Sequence, residues 1–339
     1  MVLGCIELKN FAQTNLHKGG FLFMNFSFRT DLAVETRDAY KKAQNVDMPG
    51  VSSEEETIDD VKITRVKVET EEGAMYIDKP IGNYITLDAP KIKDNDPDTN
   101  EKIYKVLAKE LRKLIGTDIN KSVLIVGLGN QNVTPDALGP KVITDIEVTR
   151  HILQYAPECL SRPVRSISAI SPGVLGTTGM ETGEVIRGVI DKIRPDFVIA
   201  IDALASRKLE RISTTIQIAD TGINPGSGIG NKRMALSKDT LGVPVIAIGV
   251  PTVVDAATMA NDTIELMLEN IEKTSSQTAN DYDKIKPMSG EEKYDLIKEV
   301  IKPFVGDLVV TPKEIDEIIS SVADVVSQGI NHALLAEDL

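Results

Sequence analysis

The chain has 339 residues, 51 of them acidic and 38 basic, for a formal net charge of -13. Hydrophobic residues make up 42% of it, enough for a sizeable core, so wholesale disorder is excluded. The acidic balance argues against a protein whose main task is gripping nucleic acid or an anionic membrane. Two cysteines, Cys5 and Cys159, are too few for a disulfide framework and suit a reducing cytosol. No apolar run approaches the ~20 residues that span a bilayer.

Residues 1–23 read as a loosely attached extension rather than a signal peptide, with Met24 as an alternative start. The polar, acidic stretch from Asp38 to Asp60 reads as a surface loop, or a helix followed by a loop. Val61 to Val68 alternates apolar and polar residues, which predicts a strand. Met75 to Leu87 is a second β-prone stretch, and Lys91 to Asn100 a charged turn. Helical spacing of Ile103, Val106, Leu107, Leu111 and Leu114 predicts a helix over Glu101–Ile115, ended by Gly116.

Ser122–Gly127 is a short continuous apolar run, as a buried parallel strand requires. A helix is expected to open near Thr134-Pro135. Further runs of the same kind are Phe197–Ile201, Thr214–Ile218 and Val243–Ile248, and Arg165–Ile170 is another candidate strand. Helices fit at Thr182–Ile193 and Asp255–Lys273. The polar segment 273–293 reads as an insert. Thr311-Pro312-Lys313-Glu314 carries a capping-box pattern before a last apolar-faced helix. Strands alternating with helices predict an α/β fold, an open and mostly parallel sheet flanked by helices, with extra β segments near the N-terminus.

In such a sheet, ligands sit outside the carboxyl ends of the strands. Asp136 falls in the loop after the Val123–Val126 strand, and Asp202 directly follows the Phe197–Ile201 strand. Each has a structural reading by itself. Asp136 suits the first turn of a helix, and Asp202 suits a cap. As a pair at two strand ends they point to chemistry: two close carboxyl groups cannot both ionise easily, so one holds a proton while the other activates water.

Other chemistries find less support. His17, His151 and His332 are the only histidines, and no Gly-x-Ser-x-Gly elbow is present. Cys159 lies between prolines as a bystander. Ser206 with Lys208 is a candidate dyad on sequence proximity alone. The segment Gly222–Arg233 misses the phosphate-loop spacing, and its glycines suit a tight turn or a peptide-binding wall.

Several of these stretches together resemble one family. They are Phe28-Arg29-Thr30-Asp31-Leu32-Ala33-Val34-Glu35, Gly127–Pro140, Ser171–Thr182, Ile201–Arg207, Gln217–Arg233 and Gly249–Ala256. The chain resembles, from Met24 onward, the germination proteases of spore-forming bacteria, atypical aspartic endopeptidases. The resemblance implies a fold like that of hydrogenase-maturation peptidases and places the catalytic pair on Asp136 and Asp202. It implies an inactive precursor that cuts itself between Asp31 and Leu32, leaving residues 32–339 as a single peptidase domain. It also implies a homotetramer acting on small acid-soluble spore proteins, cut within an acidic-apolar-Ala-x-Glu context. A substrate contact at Gly226, Ser227 and Gly228 fits the same picture. Residues 1–23 depart from the family. No cofactor, metal, nucleic-acid partner or membrane attachment is expected, and the compartment implied is the developing spore and its core. A metal-dependent peptidase and a non-enzymatic α/β binding module are the alternatives.

Overall fold

The computed structural model describes residues 30–225, 234–261, 263–264, 296–297 and 308–335. The extension 1–23, the glycines and serine at 226–228, the insert 273–293 and most of the expected 255–273 helix lie outside them.

The N-terminal third departs most from the sequence reading. Helix α1 (Ala33–Gln44) comes first, then strands β1 (Val51–Ile58) and β2 (Val61–Val68), helix α2 (Glu71–Ile77) and strand β3 (Gly82–Asp88). Of the Asp38–Asp60 stretch, expected to be a loop or a helix followed by a loop, the first residues do close helix α1, but Val51–Ile58 is the edge strand β1 and not a loop. Its exposed residues are specified by its partner: Glu55 pairs with Lys62 and Glu56 with Arg65 across to β2. A charged edge of this kind also deters pairing with other chains. The stretch from Met75 splits because Thr70 caps α2 through the Gly73 N–H, and only the second half enters the sheet.

The charged turn before the long helix is shorter than expected. Helix α3 (Pro97–Ile115) begins where Asp96 accepts the Thr99 N–H, with Pro97 in its first turn, and ends at Gly116. Beyond it lie β4 (Val123–Gly127), α4 (Leu138–Thr144), α5 (Arg150–Tyr155), β5 (Ile167–Ile170), α6 (Thr182–Ile193), β6 (Phe197–Ser206), β7 (Thr215–Ala219), β8 (Val245–Asp255), β9 (Val309–Val310) and α7 (Ile315–Leu335). The capping box expected at Thr311 does not form. Its hydroxyl donates to the Thr252 carbonyl instead, and the helix starts later.

The strands form one sheet in the order β1-β2-β3-β7-β8-β6-β4-β5, with β9 added against β8. β5, β4, β6 and β8 run parallel; the N-terminal strands and β7 join antiparallel. The open α/β sheet with N-terminal β additions matches the expected class. Alternation sorts the side chains to two faces. Ile199, Ile201, Ile216, Ile218, Ile246 and Ile248 pack under α3, α4 and α7. Val198 and Ala200 pack on the other face with Ile186 and Ile190 of α6. Among the described residues, no helix is long and apolar enough to cross a membrane.

One ion-pair network ties α3 to the antiparallel half. The Glu110 carboxylate is buried and accepts from Arg65 Nε (2.9 Å), Arg65 Nη2 (2.7 Å) and Lys113 Nζ (2.6 Å). Burial alone would raise its pKa, but the hydrogen bonds and charges of Arg65 and Lys113 outweigh burial and hold the carboxyl below the usual range. A carboxyl with a lowered folded-state pKa contributes stability that is complete above its unfolded pKa and is lost as pH falls through the lowered value. Glu110→Gln should therefore lower the melting temperature at neutral pH and flatten its acid limb. Arg65→Leu should cost more, about 2–3 kcal/mol, because it leaves the buried carboxylate with Lys113 alone. Thermal melts across pH check both.

Candidate active site

The parallel half of the sheet ends in a step. β4 stops at Gly127, opposite Ile201, whereas β6 runs on through Ser206. Asp202 is therefore inside β6 and buried, not a cap after a short strand as the sequence suggested. The strand extends because β8 is long enough to pair with it on that side as far as Val254, with a bulge after Leu204. By alternation Asp202 faces the same side as Val198 and Ala200. Its Oδ1 accepts the Ala203 N–H at 3.0 Å.

The loop after β4 brings Asp136 to this step. The Leu128 N–H donates to the Ile201 carbonyl at 2.8 Å, which stitches the start of the loop to the residue before Asp202. Gly129 follows at φ +111, and a Cβ there would lie 2.0 Å from the Asp136 carbonyl oxygen. Asp136 ends the 3₁₀ turn Thr134–Asp136, and its Oδ2 accepts the Asn130 N–H at 2.8 Å. That turn touches both β6 and β8. The structure thus places Asp136 in the loop beyond the end of β4 and Asp202 within the stretch of β6 that runs on past that end.

On the other side of Asp202, register sets up a row. Asp202 pairs with Gly249 of β8, and Gly249 pairs with Gln217 of β7. All three positions face one side of the sheet, and the middle one has no side chain. Asp31, Leu204, Gln217 and Gly249 line one cleft here.

The Asp31–Leu32 bond rests against this row. Gln217 Nε2 donates to the Asp31 carbonyl (3.1 Å), and its Oε1 accepts the Ala33 N–H (2.8 Å). The Asp31 N–H donates to the Ala205 carbonyl (3.0 Å), and Asp31 Oδ2 accepts the Ala205 N–H (2.9 Å). Leu32 is fully buried and packs with Val34 and Leu204.

The remaining candidates separate from the site. The Ser206 hydroxyl donates to the Lys208 carbonyl, and Lys208 Nζ pairs with Glu210, so no dyad forms. His151 and Cys159 are exposed, on α5 and in the turn after it. Gln217 and Gly249 were not singled out from sequence. Both lie in stretches that resemble the family, but neither residue type advertises a role.

A family model described as germination protease matches residues 29–290 and 283–337 of the chain. Its class is thereby set: a peptidase, here built on an open α/β sheet. A germination protease of Caldanaerobacter subterraneus is 54% identical over 306 residues, covering 90% of this chain and 94% of the relative. One of Clostridium acetobutylicum is 52% identical, covering 91% and 95%. One of Bacillus subtilis is 45% identical, covering 91% and 94%. The chain belongs to the germination protease family. Among solved structures, a [NiFe] hydrogenase maturation protease from Thermococcus kodakarensis aligns with a TM-score of 0.27 and 19% identity, over 42% of this chain and 80% of that one.

Proposed function

We propose that this protein is an endopeptidase that degrades small acid-soluble spore proteins at germination, using Asp136 and Asp202 as an acid–base pair. The observation that carries the reading is the seating of the Asp31–Leu32 peptide on Gln217, in register with Asp202. The ionised member of the pair takes a proton from a bound water as that water attacks the scissile carbonyl. The protonated member donates a hydrogen bond to the carbonyl oxygen, which carries the developing charge. Collapse of the tetrahedral intermediate breaks the C–N bond, and the proton taken from water passes to the departing amine. The pair titrates as a unit, so the two roles belong to the pair and not to fixed residues.

The chain is made as a precursor, removes residues 1–31 by its own cut, and acts as a homotetramer in the spore. Gln217 stands two strand spacings from Asp202, and Ala205, which holds Asp31, is three residues beyond it. Either path is about 10 Å. That gap is consistent with a precursor whose bond is seated but still uncut.

The test is incubation with a small acid-soluble spore protein, with and without a chelator, the cut sites read by mass spectrometry. Cuts between an acidic and an apolar residue that survive chelation are expected. No cutting, or cutting abolished by the chelator, would overturn the reading.

A further inference from the structure

Helix α1 opens directly after the Asp31–Leu32 bond. Leu32 is its N-cap residue, and Glu35 is the third residue of its first turn. At that spacing a glutamate side chain can reach back to the backbone nitrogen of the cap residue. Here one hydroxyl stands between the two. The Leu32 N–H donates to Thr30 Oγ1 at 3.1 Å, and the same hydroxyl donates to Glu35 Oε2. Thr30 lies on the side of the bond that the cut would remove.

The carboxylate at the end of this relay is buried and heavily held. Glu35 is 3% exposed. Its Oε2 also accepts the Arg207 N–H at 2.8 Å, and its Oε1 accepts the Lys208 N–H at 3.1 Å. Arg211 Nε stands 3.6 Å from Oε1, but Arg211 is shared with Asp88, whose Oδ1 lies 2.6 Å from Nη1. Lys208 Nζ is paired with Glu210. A buried carboxylate is costly unless it stays paired and hydrogen-bonded, and loss of Thr30 would take one partner away. The same cut supplies a replacement at the same place. Hydrolysis of the bond by one water gives a carboxylate on Asp31, which leaves with its segment, and an α-ammonium on Leu32.

Resting on the reading of a self-cutting precursor, we propose that removal of residues 1–31 converts the Leu32–Thr30–Glu35 relay into a direct ion pair between the Leu32 α-ammonium and the Glu35 carboxylate. The seated bond is too far from Asp202 to be cut in place, so the segment leaves its seat for the cut, and the pair forms when α1 settles back. The ammonium takes the place that the Thr30 hydroxyl held. It clamps the new terminus to the turn after β6, the strand that carries Asp202. The carboxylate that secures the precursor segment thereby secures the processed chain against its return.

The test starts from the full chain. It is left to cut itself, residues 1–31 are separated, and the Leu32 α-amine is labelled with an amine-acylating reagent across pH. Mass spectrometry distinguishes that amine from the lysines, and a peptide copying residues 32–42 is the free reference. Burial alone lowers the pH at which an amine loses its proton, whereas a carboxylate partner raises it. The pH of half-maximal labelling should therefore lie about one pH unit or more above the peptide's, which makes labelling at neutral pH about tenfold slower or more. In Glu35→Gln it should fall to the peptide's value or below. A wild-type midpoint at or below the peptide's overturns the pair, and so does a midpoint that Glu35→Gln leaves unchanged. Should Glu35→Gln fail to fold or to be cut, the wild-type profile decides. Either overturning result leaves the precursor reading standing. A chain that makes no cut at Asp31–Leu32 removes that reading, and the pair with it.

Discussion

Asp136→Asn and Asp202→Asn should each lower kcat/KM on a spore-protein substrate by about a thousandfold or more while leaving the melting temperature nearly unchanged. The asparagine variants are informative because of how each carboxylate is held. Asp136 Oδ2 accepts the Asn130 N–H, and Asp202 Oδ1 accepts the Ala203 N–H. An amide oxygen can accept either bond, so the loop and strand keep their course. What an amide cannot do is take a proton from water or give one to a carbonyl. Asp136→Ala should behave differently, losing activity and also stability, by about 1 kcal/mol, since the Asn130 N–H then loses its side-chain partner. Steady-state kinetics beside thermal melts separate the two effects. An asparagine variant at either position with near-normal cleavage would remove the pair from the mechanism.

Legibility from sequence followed burial. The apolar runs at Val123, Phe197 and Val245 were readable because strands covered on both faces have a composition that few other environments tolerate. β1 was not, because Ser52-Ser53-Glu54-Glu55-Glu56 has no apolar alternation; its strand state comes from Lys62 and Arg65 on β2. The far half of β6 was missed for a related reason. Asp202-Ala203-Leu204-Ala205-Ser206 looks like the start of a loop, and only pairing with β8 keeps it extended. The loop after β4 that carries Asp136 was legible from the order of the elements, whereas Asp202 lies inside β6 and not at its end. Gln217 was not legible, since a glutamine inside Thr215–Ala219 marks an exposed position in most strands, whereas here it is buried against the Asp31 carbonyl. Its role depends on a segment 186 residues away, a separation that no local pattern encodes.

The largest stability effect should come from Gly139→Ala. A Cβ at this position would lie 2.2 Å from the Leu128 oxygen and 2.4 Å from the Leu128 nitrogen. Gly127 faces it with the same constraint, its own Cβ falling 2.3 Å from the Gly139 oxygen. Both contacts are backbone on backbone, so no flexible side chain can swing aside, and α4 would have to lift off β4. That movement would strip Leu138 and Val142 from the core and strain the Leu128–Ile201 hydrogen bond that registers the Asp136 loop against Asp202. A loss of about 3 kcal/mol or more is expected, a drop of several degrees in melting temperature. Gly129→Ala should divide the other way. Its Cβ would strike the Asp136 carbonyl, at a φ of +111 that alanine rarely adopts, so the damage falls on the candidate catalytic loop and activity should fall further than stability. Gly188→Ala, inside α6 with open space around it, supplies the control and should stabilise the protein by about 0.5–1 kcal/mol through helix propensity alone. Melts and cleavage rates on the three variants test the ordering. A Gly139→Ala protein as stable and active as the control would mean that the α4–β4 contact does not position the site.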